Sequence, residues 1–250
     1  MSIAIYIQLS HLRINLGLCL TLAACSAPPR AAVSRAWPAM NATMSAAVWG
    51  RNGDSTRVAR ALDAARDSVD SLDARLARRT RVASLDSIQR AIKARTGVTL
   101  VLDSVVAGYA LDRAARVMRD VVDSGLLALG DQYLWIGPAT THTSRPVGIP
   151  HPDNSLDILG YVMLERGSIR IASRARSERK ARTASVTVLA PDALSAAAWA
   201  EAFLVWGCDS ALANAQGYGV VCADSTGVRW TTDLQNRVSL PSPSRAGRGP

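Results

Sequence analysis

Apolar residues recur along this chain in two rhythms, one of three and four residues and one close to two. Val58, Leu62, Ala65, Val69, Leu72 and Leu76 form a single stripe over five turns, which predicts a helix capped at its start by Asp54 or Ser55. Leu85, Ile88, Ala91 and Ile92 predict a second helix, capped by Ser84 and stopped at Gly97. A third helix follows Gly108-Tyr109 on Leu111, Ala114, Ala115, Met118 and Val121, and a fourth runs from Asp192 to Trp206. Strands are predicted at Met44 to Gly50, before the turn cluster Arg51-Asn52-Gly53-Asp54. Others are expected at Val98 to Val106, at Leu126 to Ile136 with a break near Gly130-Asp131, and at Ala184 to Ala190. Tyr161 to Leu164 and Ser168 to Ala172 read as a hairpin turning at Arg166-Gly167, and Tyr218 to Ala223 with Val228 to Trp230 as another. The polar, Pro-rich stretch Thr140 to Pro152 reads as loop. Helices and strands alternate without a regular βαβ period, so the fold class expected is α+β.

The N-terminus sets the compartment. Ile14 to Ala24 is an apolar run of 11 residues, too short to span a bilayer as a helix and right for the core of a signal peptide. It ends Leu22-Ala23-Ala24-Cys25, which resembles a bacterial lipobox, with Cys25 as the residue that takes lipid. The expected organisation is a signal peptide over 1–24, a Pro-containing tether over 25–39, a globular domain over 40–235 and a disordered tail over 236–250. Such a protein is anchored in the bacterial cell envelope, facing the periplasm.

Composition changes this picture little. With 250 residues the chain is long enough for a real core, but one Phe and many alanines make that core fine-grained. The formal charge of +9 suggests nucleic acid at first sight. However, the arginines are interleaved with aspartates, as in Arg57, Arg60, Asp63, Arg66, Asp67 and Asp70, which marks solvated helix faces. The densest basic run, Arg170 to Arg182, carries no aromatic ladder, and no nucleic-acid partner is expected. Cys208 and Cys222 either bridge, as an oxidising envelope permits, or stay two buried thiols.

Several blocks, in order, resemble those of a single protein family. Met40-Asn41-Ala42-Thr43-Met44 with Val48-Trp49-Gly50 resembles the family's opening Met-Gly-Thr strand, and Val82 to Gly97 its helix ending in Thr-Gly. Val105-Val106-Ala107-Gly108-Tyr109-Ala110-Leu111-Asp112-Arg113-Ala114 resembles its Ile-Ala-Lys-Gly-Tyr-Ala-Val-Asp-Arg-Ala block. Leu129-Gly130-Asp131-Gln132 falls where the family has Leu-Gly-Gly-Asp. Val186 to Pro191 and Ala202 to Gly207 resemble its closing strand and helix. The family so resembled is that of the FAD:protein FMN transferases, envelope lipoproteins.

The resemblance implies FAD and Mg²⁺ as cofactors and the transfer of FMN to a Thr or Ser of a partner protein, such as a flavinylated electron-transfer subunit. Met40, Gly108, Tyr109, Gly130 and Ser173 match positions that would line a flavin site. The departures fall on the chemistry. Ala107 stands where the family has a Lys, and Ala197 and Glu201 stand where it has a metal-binding Asp and Thr one helical turn apart. The family's His-x-x-Asp-Pro-x-Thr-Gly segment belongs between Ser173 and Ala184, which contains no His. His142 and His151 read as loop residues. The expectation is a family member with impaired or lost catalysis, or a non-catalytic flavin-binding or scaffold lipoprotein. An active enzyme would have to use Glu201 and Asp131 as substitute ligands.

Overall fold

A helix stripe needs a sheet to lie on, and the chain supplies one of eight strands. The computed structural model describes residues 32–240 except 52–53, 79–80, 138–143, 152–156 and 175–180. Contacts divide the chain into Met1–Ala31 and Ala32–Pro250, and every described residue belongs to the second unit. Cys25, the signal peptide, His142, Asn52-Gly53 and the tail over 241–250 lie outside the described residues.

The strands of the large sheet are β1 (Val33–Ala39), β2 (Ala42–Gly50), β3 (Val122–Leu129), β4 (Gln132–Ile136), β7 (Gly167–Ser173), β8 (Ser185–Ala190), β9 (Gly219–Asp224) and β10 (Gly227–Trp230), hydrogen-bonded in that order. All neighbours are antiparallel. A second sheet, in the order β11 (Val238–Ser239), β6 (Ile158–Leu164), β5 (Arg145–Pro150), supplies three more. The helices are α1 (Ser55–Ala77), α2 (Ala83–Thr96), α3 (Leu102–Met118), α4 (Ala193–Trp206) and the short α5 (Cys208–Ala213). Helices and antiparallel sheets form an α+β fold, as the element pattern predicts.

Two cores flank the large sheet. On one face Val58, Leu62, Val69 and Leu72 of α1 pack with Leu85, Ile92, Leu111 and Phe203 against Met44, Val48, Leu127 and Val188. On the other, Trp135, Ile169, Ile171 and Val221 meet Val147, Ile149, Val162 and Leu164 of the small sheet. Each aliphatic side chain so buried contributes ~1.5–3 kcal/mol as an upper estimate. With layers on both sides, all six residues of β8 are buried, so the burial of this strand shows no alternation. The helix α4, Ala-rich and apolar all round, shows the same environment: it is a core helix touching α2, α3, β7 and β8.

Several expectations are corrected. Val98 to Val106 is not a strand: α3 begins at Leu102, and Val105 and Val106 are buried on its inner face. Burial there outweighs the β preference of Val. Arg145–Pro150 is a strand, not loop; Val147 and Ile149 alternate inward, and Pro146 and Pro150 are tolerated because β5 is an edge. β6 and β7 do not pair as a hairpin. Gly167, at φ 71°, passes the chain from the small sheet to the large one, where a Cβ would strike Ala190 O at 2.3 Å. Residues 33–39, expected in the tether, form β1 with Trp37 and Ala39 buried. Val238 and Ser239, expected in the tail, pair with Val162 and Tyr161. Asp54 caps α1 through Arg57 N, whereas α2 starts at Val82 without a side-chain cap from Ser84.

Candidate functional site

Met40-Asn41 joins β1 to β2, and Gly130-Asp131 joins β3 to β4; because Met44 pairs with Leu129, both turns lie at one end of the large sheet. Met40 is partly buried at φ 48° and lines a cleft of about 490 Å³ with Leu76, Leu85, Asp86, Leu102 and Val106. Gly130, at φ 58°, is exposed, and a Cβ there would meet nothing within 4 Å. The glycine serves the two-residue turn. Ser173 ends β7 opposite Ser185 near the same end. Tyr109 is partly buried and packs into the helix-side core, and Ala107 beside it is likewise part of that packing. Gly108, Tyr109 and Gly130 do not line the Met40 cleft.

Gly108 is occupied by α4. A Cβ on it would lie 2.3 Å from Ala193 O, 2.7 Å from Ala193 C and 3.0 Å from Ala197 Cβ. The missing side chain lets two helices touch, and no flavin fits between them at that point. Four residues on, the same face of α3 presents Asp112, whose carboxylate accepts hydrogen bonds from Ala193 N and Leu194 N, both at 2.9 Å. Asp192 accepts from Ser195 N at 2.7 Å, so two carboxylates satisfy the start of α4. Burial, the largest influence, raises the Asp112 pKa above its ordinary 3.8 despite those two bonds. Gln132 closes the junction: fully buried, it donates through Nε2 to Ala193 O and to Ser168 Oγ at 3.5 Å.

The two metal positions lie further along α4. Ala197 is fully buried against Gly108 and supplies no oxygen. Glu201, one turn on, faces Arg170 of β7, with Oε1 3.5 Å from Nη2. Burial lowers the Arg170 pKa, and the Glu201 carboxylate opposes that shift. Mg²⁺ asks for several oxygen ligands in octahedral array. Here one of the two positions is a methyl group and the other is neutralised by a guanidinium, so the residues do not fit the metal. Among the described residues no group of three or more His, Cys, Asp or Glu side chains is placed to hold a metal ion. Glu201 and Asp131 as substitute ligands are therefore not supported: Asp131 belongs to the β3–β4 turn, where its carbonyl accepts from Ile171 N.

The structure thus brings Gly108 and Ala197 together, with Glu201 one turn further along α4, and sets Met40 and Gly130 in turns at one end of the sheet. Sequence reasoning passed over Arg170, counting it only as the start of a basic run. Its register was the available signal: it shares a strand face with Ser168 and Ala172, which point into the core. Cys208 and Cys222 form a disulfide with Cα atoms 5.7 Å apart, tying α5 to β9. His151 donates its backbone N–H to Asp157 O and lines a cleft with Leu159 of β6 and Val228 of β10.

Comparison with known proteins follows the same outline. A sequence model of the ApbE family matches residues 38–180, more than half of the chain. A search of curated proteins gives no match. Among solved structures, the apo form of the flavinyl transferase ApbE of Pseudomonas stutzeri is similar at TM-score 0.64 and 13% identity, covering 86% of this chain and 100% of that one. The flavin transferase ApbE of Vibrio cholerae gives 0.60 and 14%, over 84% and 100%. The ApbE protein of Thermotoga maritima gives 0.53 and 16%, over 82% and 99%. At such identities the likeness is one of fold.

Proposed function

The chain belongs to the ApbE family, and from that premise we propose that it is an envelope lipoprotein which keeps the flavin-transferase fold and has lost metal-dependent FMN transfer. One observation carries the reading: Ala197 and the Arg170–Glu201 pair stand where an oxygen-ligated metal would be needed. Ala107 in place of a lysine removes a second charged group from the same region. The relatives from Vibrio cholerae and Pseudomonas stutzeri are flavin transferases, which is what makes the loss a loss of that particular chemistry. Replacing several charged groups in one site removes more than the ~3 kcal/mol a single oxyanion donor contributes to a transition state.

In this reading Cys25 is the lipid anchor, and the domain faces the periplasm as a binding or scaffold partner of an envelope protein, such as a flavinylated electron-transfer subunit. The Cys208–Cys222 disulfide agrees with an oxidising compartment. The test is transfer itself. Full-length protein, FAD, Mg²⁺ and a Thr-containing acceptor protein are incubated, and covalent flavin is read as in-gel fluorescence. No labelled acceptor is expected, and labelling at the rate of an active transferase would overturn the reading. Metabolic labelling with palmitate should mark the wild type and not Cys25→Ser; equal labelling of both would remove the anchor.

A further inference from the structure

Antiparallel strands that pack one face on a core normally turn polar side chains outward, and the small sheet does not. Val147, Ile149, Val162 and Leu164 point at the large sheet. The positions between them point the other way, with Pro146 opposite Met163 and Gly148 opposite Tyr161. The register shift between Ile149 and Pro150 turns Ile158 to the same outer side, where a Cβ on Gly148 would meet Ile158 Cδ1 at 3.0 Å. Ile158 is 43% exposed and Tyr161 45%, and Leu240, 41% exposed, follows at the β11 edge. These are three of the five large hydrophobic side chains left exposed among the described residues, so the exposure is gathered and not scattered. Arg145 is the one charged residue of the three strands, and it faces away from this side, 6.0 Å over the Trp49 ring.

A gathered apolar face without charge marks a contact with something apolar. Its size decides with what. Three strands about 4.8 Å apart and about 20 Å long present roughly 300 Å². A stable protein contact takes about 800 Å² from each side, so neither a second copy nor a firmly bound protein finds enough here. A bilayer makes no such demand. A few apolar side chains enter the headgroup boundary, a tyrosine satisfies its ring and hydroxyl at that depth, and anionic lipid adds attraction. The chain's formal charge of +9 answers that attraction. A face this small holds weakly by itself, and an N-terminal anchor offsets the weakness by keeping the domain close.

We propose that the outer face of β5 and β6, centred on Ile158 and Tyr161, rests on the surface of an anionic bilayer and sets the orientation of the anchored domain. The inference rests on the envelope reading above for the presence of the bilayer, and adds which side of the domain meets it.

The experiment footprints Tyr161. The full-length chain carrying Cys25→Ser, which takes no lipid at that position, is held by an N-terminal His tag on vesicles of phosphatidylcholine and phosphatidylglycerol doped with a nickel-chelating lipid. The same chain is held on nickel resin as the lipid-free reference. Tyrosines are acetylated with N-acetylimidazole and mapped by mass spectrometry. Tyr161 is expected to react several-fold more slowly on vesicles than on resin, and more slowly still as phosphatidylglycerol is raised. Ile158→Asp, a change at an exposed position that leaves the core untouched, should abolish the difference. Equal reaction of Tyr161 on vesicles and resin overturns the proposal. Slow reaction on the resin as well, accompanied by a dimer in sedimentation or relieved by deleting residues 241–250, assigns the face to a second copy or to the chain's own tail and overturns it too. The tag stands in for the lipid, so the outcome is separate from the role of Cys25: failed palmitate labelling would remove the anchor and leave this test standing.

Discussion

Substituting Gly108 by Ala separates two readings of the same residue. If Gly108 lines a flavin site, an added methyl group inside a helix should raise stability by ~1 kcal/mol from helix propensity and disturb only the ligand. The structure gives the opposite sign. The new Cβ would sit 2.3 Å from Ala193 O, a backbone atom that cannot swing aside as a side-chain tip can. Restoring ordinary contact requires α3 and α4 to part by about 1 Å. That retreat stretches the Asp112 bonds to Ala193 N and Leu194 N, now 2.9 Å each. Overpacking of this kind costs ~1–3 kcal/mol and a weakened cap about 1 kcal/mol more, against the propensity gain. The net is a loss of about 2 kcal/mol, or a melting point lower by roughly 4–8 °C for a domain of this size. Thermal and urea denaturation followed by circular dichroism measure it. Gly130→Ala is the comparison, with open space around it and only the strain of φ 58° to bear. A Gly108→Ala protein as stable as the wild type would refute the close helix contact.

Three further outcomes follow from the same geometry. Reducing the Cys208–Cys222 disulfide, or Cys222→Ser, opens a loop of sequence separation 14 and should lower stability by about 3 kcal/mol, read from urea midpoints with and without reductant. Asp112 has its pKa raised in the folded state, so the native protein holds that proton more tightly than the unfolded chain. Its contribution to stability therefore declines as pH rises from its ordinary 3.8 through the raised value, and the penalty is complete above it. Urea unfolding from roughly pH 4 to 7 should show this decline in the wild type and not in Asp112→Asn. Asp192→Ala removes the bond to Ser195 N and should cost about 1 kcal/mol in the same assay.

The elements with one apolar face were legible in the sequence. The α1 stripe, the Gly97 stop, the β3–β4 turn and the Asp192 start of α4 all follow from local rules that the structure obeys. What failed were segments whose neighbours overrule them. Val105 and Val106 carry strand propensity, yet the core they meet is on a helix face; Pro146 and Pro150 signal loop, yet an edge strand accepts them. At the site, the missing Ala197 oxygen was legible through the family resemblance, which places a metal-binding Asp there. The Arg170–Glu201 pair was not, because 31 residues separate two side chains that meet only when α4 runs back across β7. The same crossover converts Gly108 from a pocket candidate into a helix contact.

The account stands on the absence of a working metal centre between α3, α4 and β7, and flavin fluorescence tests it most directly. FAD is titrated into the full-length protein with EDTA and then with saturating Mg²⁺. The account predicts the same curve in both, since Glu201 is held by Arg170 and Ala197 offers no oxygen. A curve that tightens with Mg²⁺ and loses that response in Glu201→Ala would contradict it.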